Sequence, residues 1–413
     1  MSGEIAATVG NANAPVRTKE FVRVGNYYVN SALSVVDLGR YLWQQMDQFL
    51  GSEGKSRLHR NWEGVLPRTT VRAARVARQL ASYLRARAGS HSDDRVLRLP
   101  VAGDLAIVRR SGAVKVLDVR NRRVFTVVTN DQERSKLRER IELGKVVAHL
   151  PFAPDLVDVD LEAGYFSEEF FSGRHPLNFA GCKDDFSRVY LPLLVQFLTA
   201  FEPRWEEISS YAESLRQDIV GPEGLLQRMG REERRTVTRF VERVCAELTA
   251  ETGKVPLVLS HGDYFSGNIV IDENGYRAID WANMGFRTPL HDLYYLYLNH
   301  CCRVLDWPSV SRRTTRASEN LKQSLGEIDR GRLQELDEYL TPSDVLRKLF
   351  YLECIQVPLV RCTDPNDRYL ASMLVRIGWF EEYEQAMQEE RSRERARPLA
   401  ADVRAAVRLD RGA

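Results

Sequence analysis

The 413-residue sequence predicts an α+β protein in two lobes, β-rich first and helical after, and three observations carry that prediction. From about Arg95 the chain runs through short β-rich segments in the order strand, strand, strand, helix, strand, strand. Beyond Gly173 and Pro176 it shows helical spacing almost throughout, apart from one compact β patch around residues 257–280. A composition of 44% hydrophobic and 28% charged residues is that of a folded protein in water, which argues against a collagen-like or wholly disordered chain.

Residues 1–20 are rich in Ala, Asn, Gly and Thr and lack the positive and apolar regions of a secretory signal, so they read as a loose leader. Residues 21–88 predict helices. VNSALSVVDLGRYLWQQMDQFL sets Leu33, Val36, Leu42 and Phe49 at helical spacing with Ser31 as cap, and GSEGKS then breaks the pattern. Val71–Ala88 carries five arginines and no acid, with Val76, Leu80, Tyr83 and Leu84 as an apolar stripe. Such a helix suits an anionic lipid or nucleic-acid surface. Lysine plus arginine exceed aspartate plus glutamate by only 59 to 57, however, so no global field favours such partners. The plainer reading is a solvated face on a helix packed against its own domain, and no nucleic-acid partner is expected.

DLAIVRR, AVKVLDV and RRVFTVV, separated by Ser111-Gly112 and by Val119–Asn121, predict a three-strand meander. Asp131–Leu150 predicts one charged helix that turns Leu137, Ile141, Val146 and Val147 to a core, followed by the strand-like PFAPDLVDVD and GYFSEEFF. The chain therefore divides into a helical extension (1–95), a β-rich lobe (96–172), a helical lobe (173–388) and a mixed-charge tail (389–413). Val189–Phe201, the longest nearly apolar stretch, has 13 residues including Gln196. A membrane span needs about 20, so a buried helix and no transmembrane segment are expected. The six cysteines are scattered, with no CxxC pair and no zinc-like spacing, which fits reduced thiols in the cytoplasm.

The densest chemistry lies in residues 257–297, LVLSHGDYFSGNIVIDENGYRAIDWANMGFRTPLHDLYYLY. LVLS reads as a strand, HGDYFSGN as a loop, IVID and YRAID as strands joined at Asn274-Gly275, and PLHDLYYLYLNH as a helix that starts after Pro289. His261, Asp263, Asn268 and Asp280 thus fall at strand ends and in loops, where separated side chains can converge. A carboxylate five residues before an amide, with a second carboxylate on the return strand, suits phosphoryl transfer, which is mostly positioning and charge neutralisation. Asp263 is placed to take a proton from an attacking hydroxyl, while Asn268 and Asp280 offer oxygens to Mg²⁺. His261 joins the catalytic loop by ordering it through hydrogen bonds rather than by moving a proton. Taken singly, Asp263 and Asn268 also fit turn residues, and Asp280 a strand-end cap.

These residues resemble the aminoglycoside phosphotransferase and choline kinase family of protein-kinase-like enzymes, through HGDxxxxN at 261–268, AIDW at 278–281 and PLHDL at 289–293. The resemblance implies a bilobal protein-kinase-like fold, with residues 1–95 outside the family core. It implies ATP and Mg²⁺ as cofactors, Asp263 as base, Asn268 and Asp280 as metal ligands, and Asp292 as a brace for the catalytic loop. The family also places a lysine at the end of the third lobe strand, paired with a glutamate on the next helix. Here Val128 or Thr129 stands in that place. Three readings stay open: Lys115 replaces it from the preceding strand, Arg122 or Arg123 does so with a shifted register, or nothing does.

Alternation puts Lys115 on one face with Ala113 and Leu117. For the helix glutamate, Glu139 and Glu142 both qualify; spacing favours Glu142, and either also reads as a solvated charge. Ser111 and Gly112 offer backbone N–H groups to phosphate, and the resemblance implies that Glu169, Phe170 and Phe171 present backbone to an adenine. The acceptor is poorly marked. Tyr294, Tyr295, Tyr297, Trp307 and Tyr351 suit a cationic acceptor, yet Tyr294 and Tyr297 also read as core. The sequence thus points to an ATP- and Mg²⁺-dependent phosphotransferase acting on a hydroxyl of a sugar, amino alcohol or aminoglycoside-like molecule. The alternative is a pseudokinase-like binding or scaffold protein that lacks efficient phosphate anchoring.

Overall fold

The computed structural model describes residues 18–24, 27–49, 68–89, 96–108, 113–128, 131–171, 173, 175–176, 186–221, 226, 229–273, 275–303, 305–361 and 373–392. The chain divides into two compact units, residues 1–149 with 154–172, and residues 150–153 with 173–413.

Short alternating runs in the first unit make one antiparallel sheet. Its strands are β1 (Lys19–Val24), β2 (Tyr27–Asn30), β3 (Val96–Leu99), β4 (Leu105–Val108), β5 (Ala113–Asp118), β6 (Arg123–Val128), β7 (Leu156–Asp160) and β8 (Tyr165–Glu169). They lie in the order β3-β1-β2-β4-β5-β6-β8-β7. The expected run of three strands, one helix and two strands is present as β4, β5, β6, α3 (Asp131–Val147), β7 and β8. The extension holds helices α1 (Val35–Phe49) and α2 (Arg68–Ala88), and it also supplies β1 and β2, which the sequence reading had assigned to helix. Asn30 consequently ends β2 opposite Phe21, and the cap of α1 is Ser34 instead of Ser31: its Oγ accepts from the Asp37 N–H at 3.0 Å.

Period-two alternation sorts the sheet into two faces. On one, Phe21, Leu99, Ala106, Val114, Val116, Phe125 and Val127 pack together. The other carries helices at both ends of β5 and β6: Ala113 and Val128 pack against Leu137 and Ile141 of α3, whereas Leu105 and Leu117 pack against Leu38 and Leu42 of α1 and Val76 and Tyr83 of α2. The buried stripe of α2 is thus Val76 and Tyr83 with partly buried Leu80, while Leu84 lies 49% exposed and Arg78 and Arg85 face water. This is the solvated-face arrangement.

The second unit is helical around two small β elements. Helix α4 (Leu191–Ala200) buries Leu193, Leu194, Val195, Phe197 and Leu198, as its apolar run requires. Then follow β9 (Arg204–Glu207), α5 (Ile208–Val220), α6 (Arg231–Thr249), β10 (Lys254–Ser260), the hairpin β11 (Ile269–Asp272) and β12 (Gly275–Ala278), and β13 (Gly285–Arg287). β10 pairs with β13 on one side and β9 on the other. The short helix α7 (His291–Tyr294) widens into a π turn over Tyr295–His300 and leads to α8 (Trp307–Ile328), α9 (Arg330–Leu336), α10 (Asp344–Arg361) and α11 (residues 373–392). No helix among the described residues is long and apolar enough to cross a membrane.

Tyr83 ties α2 to the start of α1, its hydroxyl donating to the Leu33 carbonyl at 2.7 Å within a fully buried setting. Replacing it in Tyr83→Phe leaves a buried carbonyl short of a donor, and urea unfolding should read a loss of about 1–3 kcal/mol.

Candidate functional site

The site in the second unit is built on strand ends. β10 delivers Ser260 and His261 into a sharp turn in which Gly262 has φ 75°, a left-handed conformation that glycine adopts without strain. A Cβ there would also collide with the Asn283 carbonyl. Asp292 clamps this turn from the first turn of α7. Its carboxylate accepts from His261 N at 2.7 Å, Gly262 N at 3.0 Å and Ser260 Oγ at 3.1 Å. His261 is fully buried, and its Nε2 lies 2.9 Å from the Ile279 carbonyl. Because a carbonyl only accepts, Nε2 carries the proton, and the ring links the loop to the β12 side of the hairpin. Beneath, Phe197 packs its ring against His261, Tyr264 and Trp281.

Asp263 follows at once and has a partner on each oxygen. Tyr295 donates its hydroxyl to Oδ1 at 2.6 Å, and Asn268 donates Nδ2 to Oδ2 at 3.2 Å and to the Asp263 carbonyl at 2.9 Å. Burial pushes the Asp263 carboxyl above its ordinary value and Asp280 adds to this, while the Tyr295 hydrogen bond and the charges of His261 and Arg376 work against it. Arg376, on α11, donates to Tyr295 Oη at 3.4 Å. The amide nitrogen of Asn268 is therefore turned to Asp263, which leaves its carbonyl oxygen as the end suited to a cation. The hairpin sets Asp280 at the same end: Ile269 pairs with Ala278, and Ile279 N donates to Asn268 O at 2.9 Å. Asp280 holds φ 61°, one of two left-handed non-glycine residues among those described, and such outliers gather where function constrains the backbone. An amide oxygen and one carboxylate fit Mg²⁺, which keeps several waters and takes one or two protein carboxylates.

The second layer was not legible in the sequence. Glu353, on α10 and fully buried, accepts from Tyr211 Oη, Thr288 N, Thr288 Oγ1 and His291 Nδ1 at 2.8–3.0 Å. Burial raises its carboxyl, but the His291 hydrogen bond and charge and the Thr288 N–H outweigh it and hold it below the ordinary value. This knot fixes the corner between β13 and α7, hence the position of Asp292. Tyr295 and Arg376 were likewise missed as partners of Asp263, because only the fold brings α7 and α11 to the loop.

In the first unit, Lys115 Nζ lies 3.6 Å from Glu168 Oε2 with both side chains mostly buried. Glu168 is therefore its partner; Glu142 is exposed and pairs with Lys145 on its own helix, which corrects the expectation for Glu142. Arg123 alternates with Val124 and so lies on the opposite face, while Arg122 sits in the turn at φ 52° beside Glu169. Val128 is buried against α3. The N–H groups of Glu169 and Phe170 donate to the Asp155 and Arg122 carbonyls, which leaves the linker's carbonyl groups as the side for an adenine. Phe171 is buried beside them. Ser111, Gly112 and Thr129 lie outside the described residues. Of the aromatic residues, Tyr294 and Tyr297 pack in the core against Phe350 and Phe186, and Tyr351 stacks on Phe380.

Comparison with known proteins agrees with this chemistry. Residues 113–336, more than half of the chain, match the profile of the phosphotransferase enzyme family. The chain belongs to that family of phosphotransferases. Among solved structures it is similar to an ethanolamine kinase from Plasmodium vivax, at 14% identity over 68% of this chain and 80% of that one with a TM-score of 0.40. It is also similar to a choline/ethanolamine kinase family protein from Mesorhizobium loti, at 14% identity over 66% and 85% of the chains with a TM-score of 0.41. An aminoglycoside phosphotransferase from Streptomyces rimosus matches at 18% identity over 61% and 91%, with a TM-score of 0.36. No curated protein sequence matches.

Removing the buried carboxylate in Glu353→Ala strands His291 and Thr288, and denaturant unfolding should read a loss of about 3–5 kcal/mol. Since the folded value of Glu353 is depressed, its contribution is present above the unfolded glutamate pKa of about 4.3 and is lost as pH falls through the folded value. Stability measured from pH 6 downward should fall more steeply for the wild type than for Glu353→Gln.

Proposed function

We propose that this chain transfers the γ-phosphoryl group of ATP, with Mg²⁺, to a hydroxyl of a small molecule such as a sugar, an amino alcohol or an aminoglycoside-like compound. The single observation that supports this most is Asp263, a half-buried carboxylate set between Tyr295 and Asn268 on a loop clamped by Asp292. Asp263 accepts the proton of the attacking hydroxyl, and Tyr295 and Asn268 keep its two oxygens in one orientation. Asn268 and Asp280 would hold Mg²⁺, and Lys115, released from Glu168, would meet phosphate. When bound, ATP supplies the phosphoryl group and the metal offsets its charge. His261 and Asp292 act on geometry, the first through the Ile279 carbonyl and the second through the loop N–H groups.

The cytoplasm is the proposed setting, on the ground of its thiols: burial pushes Cys245 and Cys301 up to about 12, so both stay protonated and unreactive, and neither forms a disulfide. One observation favours a second reading, a pseudokinase-like scaffold. A phosphate-holding lysine was sought at Val128 or Thr129; Val128 is apolar and buried in the α3 core, and Thr129 lies outside the described residues.

Phosphate transfer from labelled ATP to a panel of sugars, amino alcohols and aminoglycosides tests the proposal. Asp263→Ala should lower turnover by about 10²–10⁴-fold while folding is retained; full activity in that variant would remove Asp263 as base. Tyr295→Phe should lower kcat by a smaller factor and leave nucleotide affinity unchanged. Lys115→Met should do the reverse and raise KM for nucleotide.

A further inference from the structure

Residues 1–112 lie outside the family match, yet helices α1 and α2 within them occupy a particular piece of ground. Lys115, Leu117, Val124, Thr126 and Glu168 share one sheet face by alternation and register: Lys115 stands opposite Thr126, Leu117 opposite Val124, and Val124 opposite Glu168. The chain then continues through Phe170. The Lys115–Glu168 pair sits mid-strand on this face, with α3 at one end and α1 and α2 at the other. Leu38, Leu42, Val76 and Tyr83 form one buried cluster with Leu105, Leu117 and Phe170, and Ile107 and Val124 pack against it.

Lys115 lies about 7 Å from Leu117 along the strand. A nucleotide whose phosphates meet Lys115 and whose base reaches the backbone beyond Glu169 must therefore lie over Leu117, Val124 and Phe170. Leu117 and Phe170 are already buried in one cluster with side chains of α1 and α2 and with Val22, Val24, Tyr27 and Val29 of β1 and β2, and interiors packed at this density do not admit a second occupant. We propose that α1 and α2 form an intramolecular plug that blocks nucleotide binding and must lift for the enzyme to work. This rests on the reading of Lys115 and the linker as nucleotide residues.

The mode of attachment suits a removable element. β1 and β2 are held by backbone ladders on both sides, whereas the attachments of α1 and α2 include apolar contact, the Tyr83 hydroxyl and an exposed ion pair, Asp37 Oδ2 to Arg120 Nη2 at 2.8 Å. An exposed pair of this kind adds little. The closed state then weakens apparent nucleotide affinity by the fraction of molecules that are open.

Hydrogen exchange on the full chain, with and without ATP and Mg²⁺, tests this. Amides of Val35–Phe49 and Arg68–Ala88 should exchange about tenfold faster or more in the presence of nucleotide, while β5 and β6 keep their protection. Leu42→Asp, which charges the underside of α1, should bind nucleotide about tenfold tighter or more, and Asp37→Asn, which leaves the core intact, should shift affinity the same way by less. Nucleotide binding with both helices equally or better protected, and no gain in either variant, would overturn the plug and leave the kinase reading standing. If neither wild type nor either variant binds nucleotide while β5 and β6 stay protected, the reading of Lys115 fails and the plug with it.

Discussion

Three hydrogen bonds into the Asp292 carboxylate hold the catalytic loop in shape, and most of the second unit is arranged around keeping them. A turn from β10 into a left-handed glycine leaves the N–H groups of His261 and Gly262 pointing inward, where an unpaired donor would cost about 1–3 kcal/mol. Asp292 takes both, and Ser260 closes the set. Its own place is fixed from behind by Glu353, which gathers four donors around the corner before α7. One carboxylate shapes the loop, and the second holds the first. Asp263 thereby meets Tyr295 and Asn268 in a fixed geometry although burial disfavours its charge.

The sheet of the first unit solves a different problem. Of the two positions where the third-strand lysine was sought, Val128 packs into the α3 core, where a cation would be desolvated without a partner, and Thr129 lies outside the described residues. Lys115, one strand over, faces the same way and is partnered by Glu168. The same face is shared with helices from the extension, which makes the N-terminal region part of the same chemical question as the lysine.

Local pattern explains what the sequence made legible. HGDYFSGN and AIDW place loop and hairpin through glycine, strand alternation and turn chemistry, all of which act over a few residues. The strand order around α3 was readable for the same reason. β1 and β2 were not: KEFVRV and YYVN are short, and their strand character comes from pairing with β3 and β4, 74–80 residues away in sequence. Glu353 and Arg376 were missed, and Tyr295 was read toward an acceptor and not as a partner of Asp263, because each acts through a residue distant in sequence. Glu142 was favoured by spacing, and the structure turns it to solvent beside Lys145.

Thermal unfolding with ATP and Mg²⁺, wild type against Asp280→Ala, tests the central claim most directly. A ligand that binds only the native state raises stability by RT ln(1 + [L]/Kd), about 2.7 kcal/mol at a hundredfold excess over Kd. The account predicts an upward shift in Tm that requires Mg²⁺ and disappears in Asp280→Ala. A shift of equal size in both proteins, or one indifferent to Mg²⁺, would contradict it.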